Sequence, residues 1–203
     1  MSADNRIVVA TGNPGKLNEI MELLDDTDIE FVSQQELGVT EAEETGMTFV
    51  ENALAKARHA TEQTGLASIA DDSGLEVDFI HGAPGICSAR FDGPNATDAD
   101  NTGKLLAELG DAPSEHRSAR FQCVMVYLRH VADPAPIIAQ GTWHGRILSK
   151  PRGEDGFGYD PIFFVPSHRC SVAELDIHTK NRLSHRGQAL RSLVEKLKAE
   201  WAV

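Results

Sequence analysis

Two adjacent carboxylates, Asp71 and Asp72, follow a short apolar run at 66–70 and precede Ser73 and Gly74. Acids at the mouth of a strand, beside a residue that can turn sharply, suit a hard metal ion, which takes oxygen ligands. The same residue types also make an ordinary polar turn. Taken alone, the turn is the simpler reading, and the metal reading needs partners elsewhere in the chain.

Three stretches offer such partners. Thr11-Gly12-Asn13-Pro14-Gly15-Lys16 joins an apolar run to an amphipathic pattern, so it reads as a strand-to-helix loop. Free N–H groups and the positive end of a helix point outward there, which suits phosphate. It is not a Walker loop, because Leu17 stands where Ser or Thr would hold magnesium; a plain turn with a solvated lysine fits equally well. Gly153 to Pro161 places Phe157 and Tyr159 among three glycines, with Asp160 alongside. An aromatic on a pliable loop can stack on a flat ring while a carboxylate accepts from its edge. The alternative is a tight turn whose aromatics cap the core. Ser184-His185-Arg186 opens a helix with two basic residues, which the helix dipole disfavours unless an acceptor-rich ligand binds there.

The elements that must position these residues follow from periodicity. Residues 6–10 form a β-branched strand, and Leu17, Ile20, Met21 and Leu24 mark the next helix. Residues 29–33 alternate like a strand. An acidic loop at 40–46 carries Glu43 and Glu44, and a helix then starts at a Thr48/Glu51 capping box, with Phe49, Ala53, Leu54, Ala57 and Ala60 facing the core. The 66–70 strand is expected to end at Asp71-Asp72, and a second strand to run over 75–80. A helix is predicted from Thr97 to Leu109, strands over 119–128, 136–143, 145–148 and 161–165, a short helix beginning at Ser171 with Lys180 near its end, and a last helix after Ser184. There is no internal repeat or flexible linker. The expectation is one folding unit over 1–203, an α/β fold with a mixed sheet flanked by helices.

The 203 residues carry a net charge of −12, which argues against polyanion binding as the main activity. No apolar stretch approaches the length needed to span a bilayer, and residues 1–6 lack a leader pattern. Three scattered cysteines, Cys87, Cys123 and Cys170, fit a reducing, cytoplasmic setting and read as small buried apolar residues. There is no Cys/His cluster for zinc and no GxSxG nucleophile motif, so hydrolysis by activated water fits better than covalent catalysis.

Seven blocks occur in one order: TGNPGK at Thr11, AEETG at Ala42, TFVENALAKARHA at Thr48, ADDSGLEVD at Ala70, GAPGICSARF at Gly82, GFGYDPIF at Gly156 and SHRGQAL at Ser184. Together they resemble the inosine/xanthosine triphosphate pyrophosphatases, closest to the bacterial RdgB-type dITP/XTP enzymes. The resemblance spans essentially the whole chain. It implies hydrolysis of ITP, dITP and XTP to the monophosphate and pyrophosphate, cleansing the nucleotide pool, with Mg²⁺ as cofactor. It also implies a homodimer and an elongated two-lobed fold with the site in a cleft between lobes. Carried over residue by residue, Asp72 is the general base and a metal ligand, and Glu43 is a further ligand supported by Glu44 and Asp71. Thr11, Gly12, Asn13, Pro14, Gly15 and Lys16 line the triphosphate, and Ser73 and Lys180 contact substrate. Phe157 stacks on the base, Gly158, Tyr159 and Asp160 complete that wall, and His185 and Arg186 reach the base edge.

Overall fold

The apolar strands assemble into one seven-stranded mixed sheet. The structure, a computed structural model, describes residues 6–24 and 29–201; residues 1–5, part of the stretch read above for a leader, lie outside them. The strands are β1 (Arg6–Ala10), β2 (Glu30–Ser33), β3 (Ala67–Val77), β4 (Ser118–Leu128), β5 (Ile137–Ile147), β6 (Phe163–Val165) and β7 (Cys170–Ser171). Their order is β2-β1-β3-β4-β5-β6-β7. The helices are α1 (Pro14–Leu24), α2 (Phe49–Thr64), α3 (Asp98–Leu109), α4 (Ile177–Leu183) and α5 (His185–Trp201). Among the described residues no helix is long and apolar enough to cross a membrane.

The chain divides into two compact units. The first takes Met1–Asp72, Cys123–Gly141 and Arg186–Val203; the second takes Ser73–Gln122 and Thr142–His185. In the first unit β1 pairs in parallel with both β2 and β3, with Val9 opposite Ile69 and Ala10 opposite Ala70. Parallel neighbours require crossover helices, here α1 and α2. Strand order 2-1-3 reverses at β1, and ligands of open α/β sheets bind outside the carboxyl ends of strands at such a reversal. Side chains of a strand alternate between faces. Ile7, Val9 and Ile69 pack with Ile20 and Leu24 of α1 and with Leu190, Leu193 and Leu197 of α5. Val8, Ala10 and Ala70 pack with Ala53, Ala57 and Ala60 of α2. The alanine stripe lets α2 lie close to the sheet.

In the second unit Leu75 and Val77 pack with Leu105 and Leu109 of α3 and with Phe121, Trp143, Ile162 and Phe163. Thr97 caps α3 in a reciprocal capping box with Asp100, which fixes where that helix begins.

Four expectations are corrected. The strand that should end at Asp71-Asp72 continues to Val77 as a single β3. The Asp-Asp-Ser-Gly segment stays extended, because Gly74 is not in the left-handed region and each side chain finds its own environment on alternate faces. The 136–143 and 145–148 strands are one strand, β5. Lys180 does not end the helix begun at Ser171: that segment is a single 3-10 turn at Val172–Glu174, and Lys180 sits in α4, capped by Asp176. Cys123 is buried as expected, but Cys87 is exposed and Cys170 only half-buried.

Gly145 on β5 shows how tightly the second unit packs. A Cβ there would meet the Phe163 ring and lie 2.5 Å from the Phe164 carbonyl oxygen. Gly145→Ala should therefore cost about 1–3 kcal/mol, as overpacked sites do, read as a lowered urea midpoint at an unchanged m-value.

Candidate active site

The alternation along β3 sends its two acids in opposite directions. Asp71 shares its face with Ile69, towards α1 and α5; Asp72 shares its face with Ala70, towards α2. Asp71 is fully buried, and its Oδ2 lies 3.3 Å from Lys16 Nζ and 3.4 Å from Arg186 Nε. The Arg186 guanidinium, also buried, pairs in addition with Glu19 of α1. Burial by itself would raise the Asp71 carboxyl, but Lys16 and Arg186, helped by Lys56, hold it well below the usual carboxylate range. Desolvation works against the Arg186 charge too, yet Asp71 and Glu19 keep its pKa above the ordinary value.

On the other face, Asp72 is 5% exposed and meets two side chains of α2. Asn52 Nδ2 donates to Asp72 Oδ2 at 3.2 Å, and Lys56 Nζ lies 3.1 Å from Asp72 Oδ1. The same ammonium sits 2.7 Å from Glu44 Oε1. Asn52 is completely buried and uses both ends of its amide: its Oδ1 accepts from the Gly46 N–H at 2.8 Å. It thereby ties the acidic loop to Asp72. A Cβ on Gly46 would lie 2.6 Å from that Oδ1, so the loop can approach only as glycine. Burial pushes the Asp72 carboxyl above its ordinary value, against the pull of Lys56 and Lys16. Lys56 is raised as well: desolvation opposes its charge, but Asp72, Asp71 and Glu44 outweigh it.

The strand-to-helix loop begins where β1 ends beside Asp71. Pro14 is the first residue of α1, where its missing N–H costs nothing. Asn13 Oδ1 accepts from the Lys16 N–H at 3.0 Å, and Thr11 Oγ1 accepts from the Asn13 N–H at 3.3 Å. A Cβ on Gly12 would meet only the end of the exposed Glu41 side chain. Gly15 and Lys16 fall in the first turn of α1.

In the second unit, Lys180 Nζ is 2.6 Å from Asp160 Oδ2 and 4.7 Å from the centre of the Phe157 ring, over its face. Asp160 Oδ2 also accepts from the Phe157 N–H at 3.0 Å. Tyr159 is buried and donates its hydroxyl to the Ser88 carbonyl at 2.9 Å. Burial pushes its phenol pKa up, so it is a neutral donor. His185 is buried and stacks on Phe121, with ring centres 4.7 Å apart and planes 11° apart. Ser73 is half-buried in β3, the first residue of this unit.

The predicted residues therefore gather as two sets. Thr11 to Lys16, Asp71, Asp72 and Arg186 belong to the first unit; Ser73, Phe157 to Asp160, Lys180 and His185 belong to the second. Glu44, not Glu43, shares a cation with Asp72, and Glu43 is exposed on the loop. Sequence reasoning missed Asn52, Lys56 and Glu19. A signal existed for the first two: they lie four residues apart beside the Ala53/Ala57/Ala60 stripe, hence on neighbouring positions of one helix face. Glu19, three residues after Lys16, is the corresponding case on α1.

The donor chemistry suits a hard divalent cation. Carboxylate oxygens of Asp72 and Glu44 already share one cationic group, the Lys56 ammonium. Among the described residues no three His, Cys, Asp or Glu side chains converge into a metal cage. Mg²⁺ is ordinarily held by one or two carboxylates, with substrate phosphates and water completing its shell, so this set is compatible with it.

Similarity to known proteins bears on this arrangement. The sequence profile of the Ham1 family matches residues 7–196. The chain belongs to the Ham1 family. A dITP/XTP pyrophosphatase of Vibrio parahaemolyticus is 56% identical over 197 residues, covering 97% of this chain and 98% of that protein. One from Escherichia coli O157:H7 is 56% identical over 193 residues, covering 95% and 98%. The solved structure of a HAM1 protein from Coxiella burnetii superposes with a TM-score of 0.88 at 52% identity, covering 96% of this chain and 98% of that one. A dITP/XTP pyrophosphatase from Mycobacterium abscessus gives 0.73 at 43% identity, covering 93% and 98%. The mixed α/β sheet described here is thus the Ham1 fold.

Asn52 is the member of this Ham1 site whose removal is easiest to interpret. Asn52→Ala strips a buried partner from Asp72 Oδ2 and from the Gly46 N–H. The expected loss of unfolding free energy is about 1–3 kcal/mol, measured by chemical denaturation.

Proposed function

We propose that this Ham1-family chain is a pyrophosphate-releasing nucleoside triphosphatase acting on non-canonical purine nucleotides, ITP, dITP and XTP, so that they are not incorporated into DNA and RNA. The observation that carries the proposal is the buried Asp72 carboxylate, held by Asn52 and sharing the Lys56 ammonium with Glu44. It is supported by near-full-length relatives at 56% identity that are themselves dITP/XTP pyrophosphatases.

In the proposed reaction a water oxygen bonds to the α-phosphorus and the bond from that phosphorus to the bridging oxygen of pyrophosphate breaks. The proton released by the water goes to Asp72. Asp72 is buried against α2, where Asn52 and Lys56 fix the position of the carboxylate that takes the proton. Asn52 donates to Oδ2, and the Lys56 ammonium stabilises the negative charge at Oδ1. Thr11 to Lys16 would line the triphosphate, with Lys16 supplying the charge and Asp71 anchoring Lys16 through a charge contact. Positioning and charge neutralisation carry most of the acceleration in phosphoryl transfer. Mg²⁺, when bound through Asp72 with Glu43 or Glu44, would neutralise phosphate charge and polarise the reacting centre.

The base would stack on Phe157, whose opposite partner is the Lys180 ammonium, with Gly158, Tyr159 and Asp160 forming that wall and Ser73 contacting substrate. His185 would reach the base edge. Arg186 would do so as well, alongside its pairing with Glu19 and Asp71. A donor aimed at the six-position oxygen would be left unpaired by adenine, and a buried unpaired donor rejects strongly. We also infer a homodimer acting in the cytoplasm, checked by light scattering of the purified protein and by fractionation of the cell.

Product analysis tests the reading directly. With Mg²⁺, dITP should yield monophosphate and pyrophosphate, and dGTP should yield little; orthophosphate release would overturn it. Asp72→Asn should lower kcat by at least about a hundredfold, the scale of a lost general base, while leaving the fold intact by circular dichroism. Removing divalent ions with EDTA should stop turnover, and adding Mg²⁺ should restore it.

A further inference from the structure

The second unit holds the backbone around Phe157 from several directions, and one of them comes from outside the wall itself. Gly158 lies at φ +58, in the left-handed region, with no atom within 4 Å of where a Cβ would stand. The glycine is therefore there for its backbone conformation and not because space is short. A glycine in an open setting has other conformations available, so something else must select this one. Its N–H donates to Asp98 Oδ2 at 2.6 Å, and its carbonyl accepts from Thr102 Oγ1 at 3.4 Å. Both partners lie in the first turns of α3.

The Gly158 N–H belongs to the same rigid peptide plane as the Phe157 carbonyl. Fixing that N–H fixes the plane leaving Phe157 and, with the Asp160 bond to the Phe157 N–H, pins both sides of the residue. A carboxylate accepting from a backbone N–H makes a short, charge-assisted bond. Asp98 is available for it because α3 does not need Asp98 as a cap: Thr97 and Asp100 already close the helix start. The platform is itself anchored, since Asn101 accepts from the Asp92 N–H at 2.8 Å and donates to the Ala89 carbonyl at 3.2 Å.

We propose that Asp98 is a positioning residue for base recognition, fixing through the Gly158 N–H the backbone that carries the Phe157 ring. The inference rests on the reading of Phe157 as the stacking surface for the purine. Asp98 touches no substrate; it acts through the loop.

The test compares Asp98→Ala, Asp98→Asn and Phe157→Ala with the unaltered protein. Four quantities are measured: kcat and KM for dITP with Mg²⁺, the Kd of dIMP by calorimetry, the inhibition constant of pyrophosphate, which has no base, and Tm. Asp98→Ala should raise KM and the dIMP Kd about tenfold, the equivalent of roughly 1.4 kcal/mol, with kcat and the pyrophosphate constant unchanged. Asp98→Asn keeps an oxygen that can accept the Gly158 N–H and should recover most of the lost affinity. Phe157→Ala should weaken dIMP at least as much as Asp98→Ala. Unchanged dIMP affinity in Phe157→Ala would overturn the stacking reading and this inference with it. A weakened Phe157→Ala beside an unaffected Asp98→Ala would overturn the positioning role alone. Equal weakening of dIMP and pyrophosphate in Asp98→Ala, with a lowered Tm, would show a general structural role and overturn it as well.

Discussion

Two consecutive acids on one extended strand cannot face the same way, and the candidate site depends on that. Because β3 runs unbroken through Asp71-Asp72, the first carboxylate is delivered to α1 and α5 and the second to α2. Identical side chains thus acquire opposite electrostatics. Asp71, held by Lys16 and Arg186, is kept ionised and serves as an anchor for positive charge. Asp72 is buried with less compensation and becomes the more basic of the pair. Environments that push two carboxylates apart in this way are how one site obtains two roles from one residue type.

Burying so many charges is tolerable only where each has a counter-charge and hydrogen bonds. The Lys16–Asp71–Arg186–Glu19 set meets this on one face of the sheet, and Glu44–Lys56–Asp72, with Asn52, meets it on the other. Such networks hold their members at defined positions, and a phosphoryl-transfer site relies on positioning. One glycine has the same logic: at Gly46 the buried Asn52 side chain and the start of α2 come too close for a Cβ. The second unit uses a different device. Its aromatic loop is tied by hydrogen bonds to α3, α4 and the 85–90 segment, which fix the backbone that carries the Phe157 ring.

Much of this was legible in the residues themselves. The period-2 and period-3.6 patterns are local, so β1, α1, α2, α3 and β4 could be placed from them, and the blocks around Thr11, Asp72, Phe157 and His185 offered candidate groups through residue type. Strand continuity through Asp71 to Gly74 was not legible. Polar residues and a glycine look like a turn whenever their partners are unknown, and only the partners on each face show why the backbone stays extended.

Periodicity and the ordered motif blocks carry the fold class, the family and the kinds of groups available. Which of those groups meet depends on the folded chain. Asn52, Lys56 and Glu19 carry no signature beyond helical spacing, and their roles come from chain segments 20, 16 and 167 residues away. It also committed Arg186 to Asp71 and Glu19, and gave Asp72 the Lys56 ammonium that it shares with Glu44. The physical reason is range: propensity and periodicity act over a few residues, whereas charge pairing and desolvation depend on neighbours that only folding brings within a few ångströms.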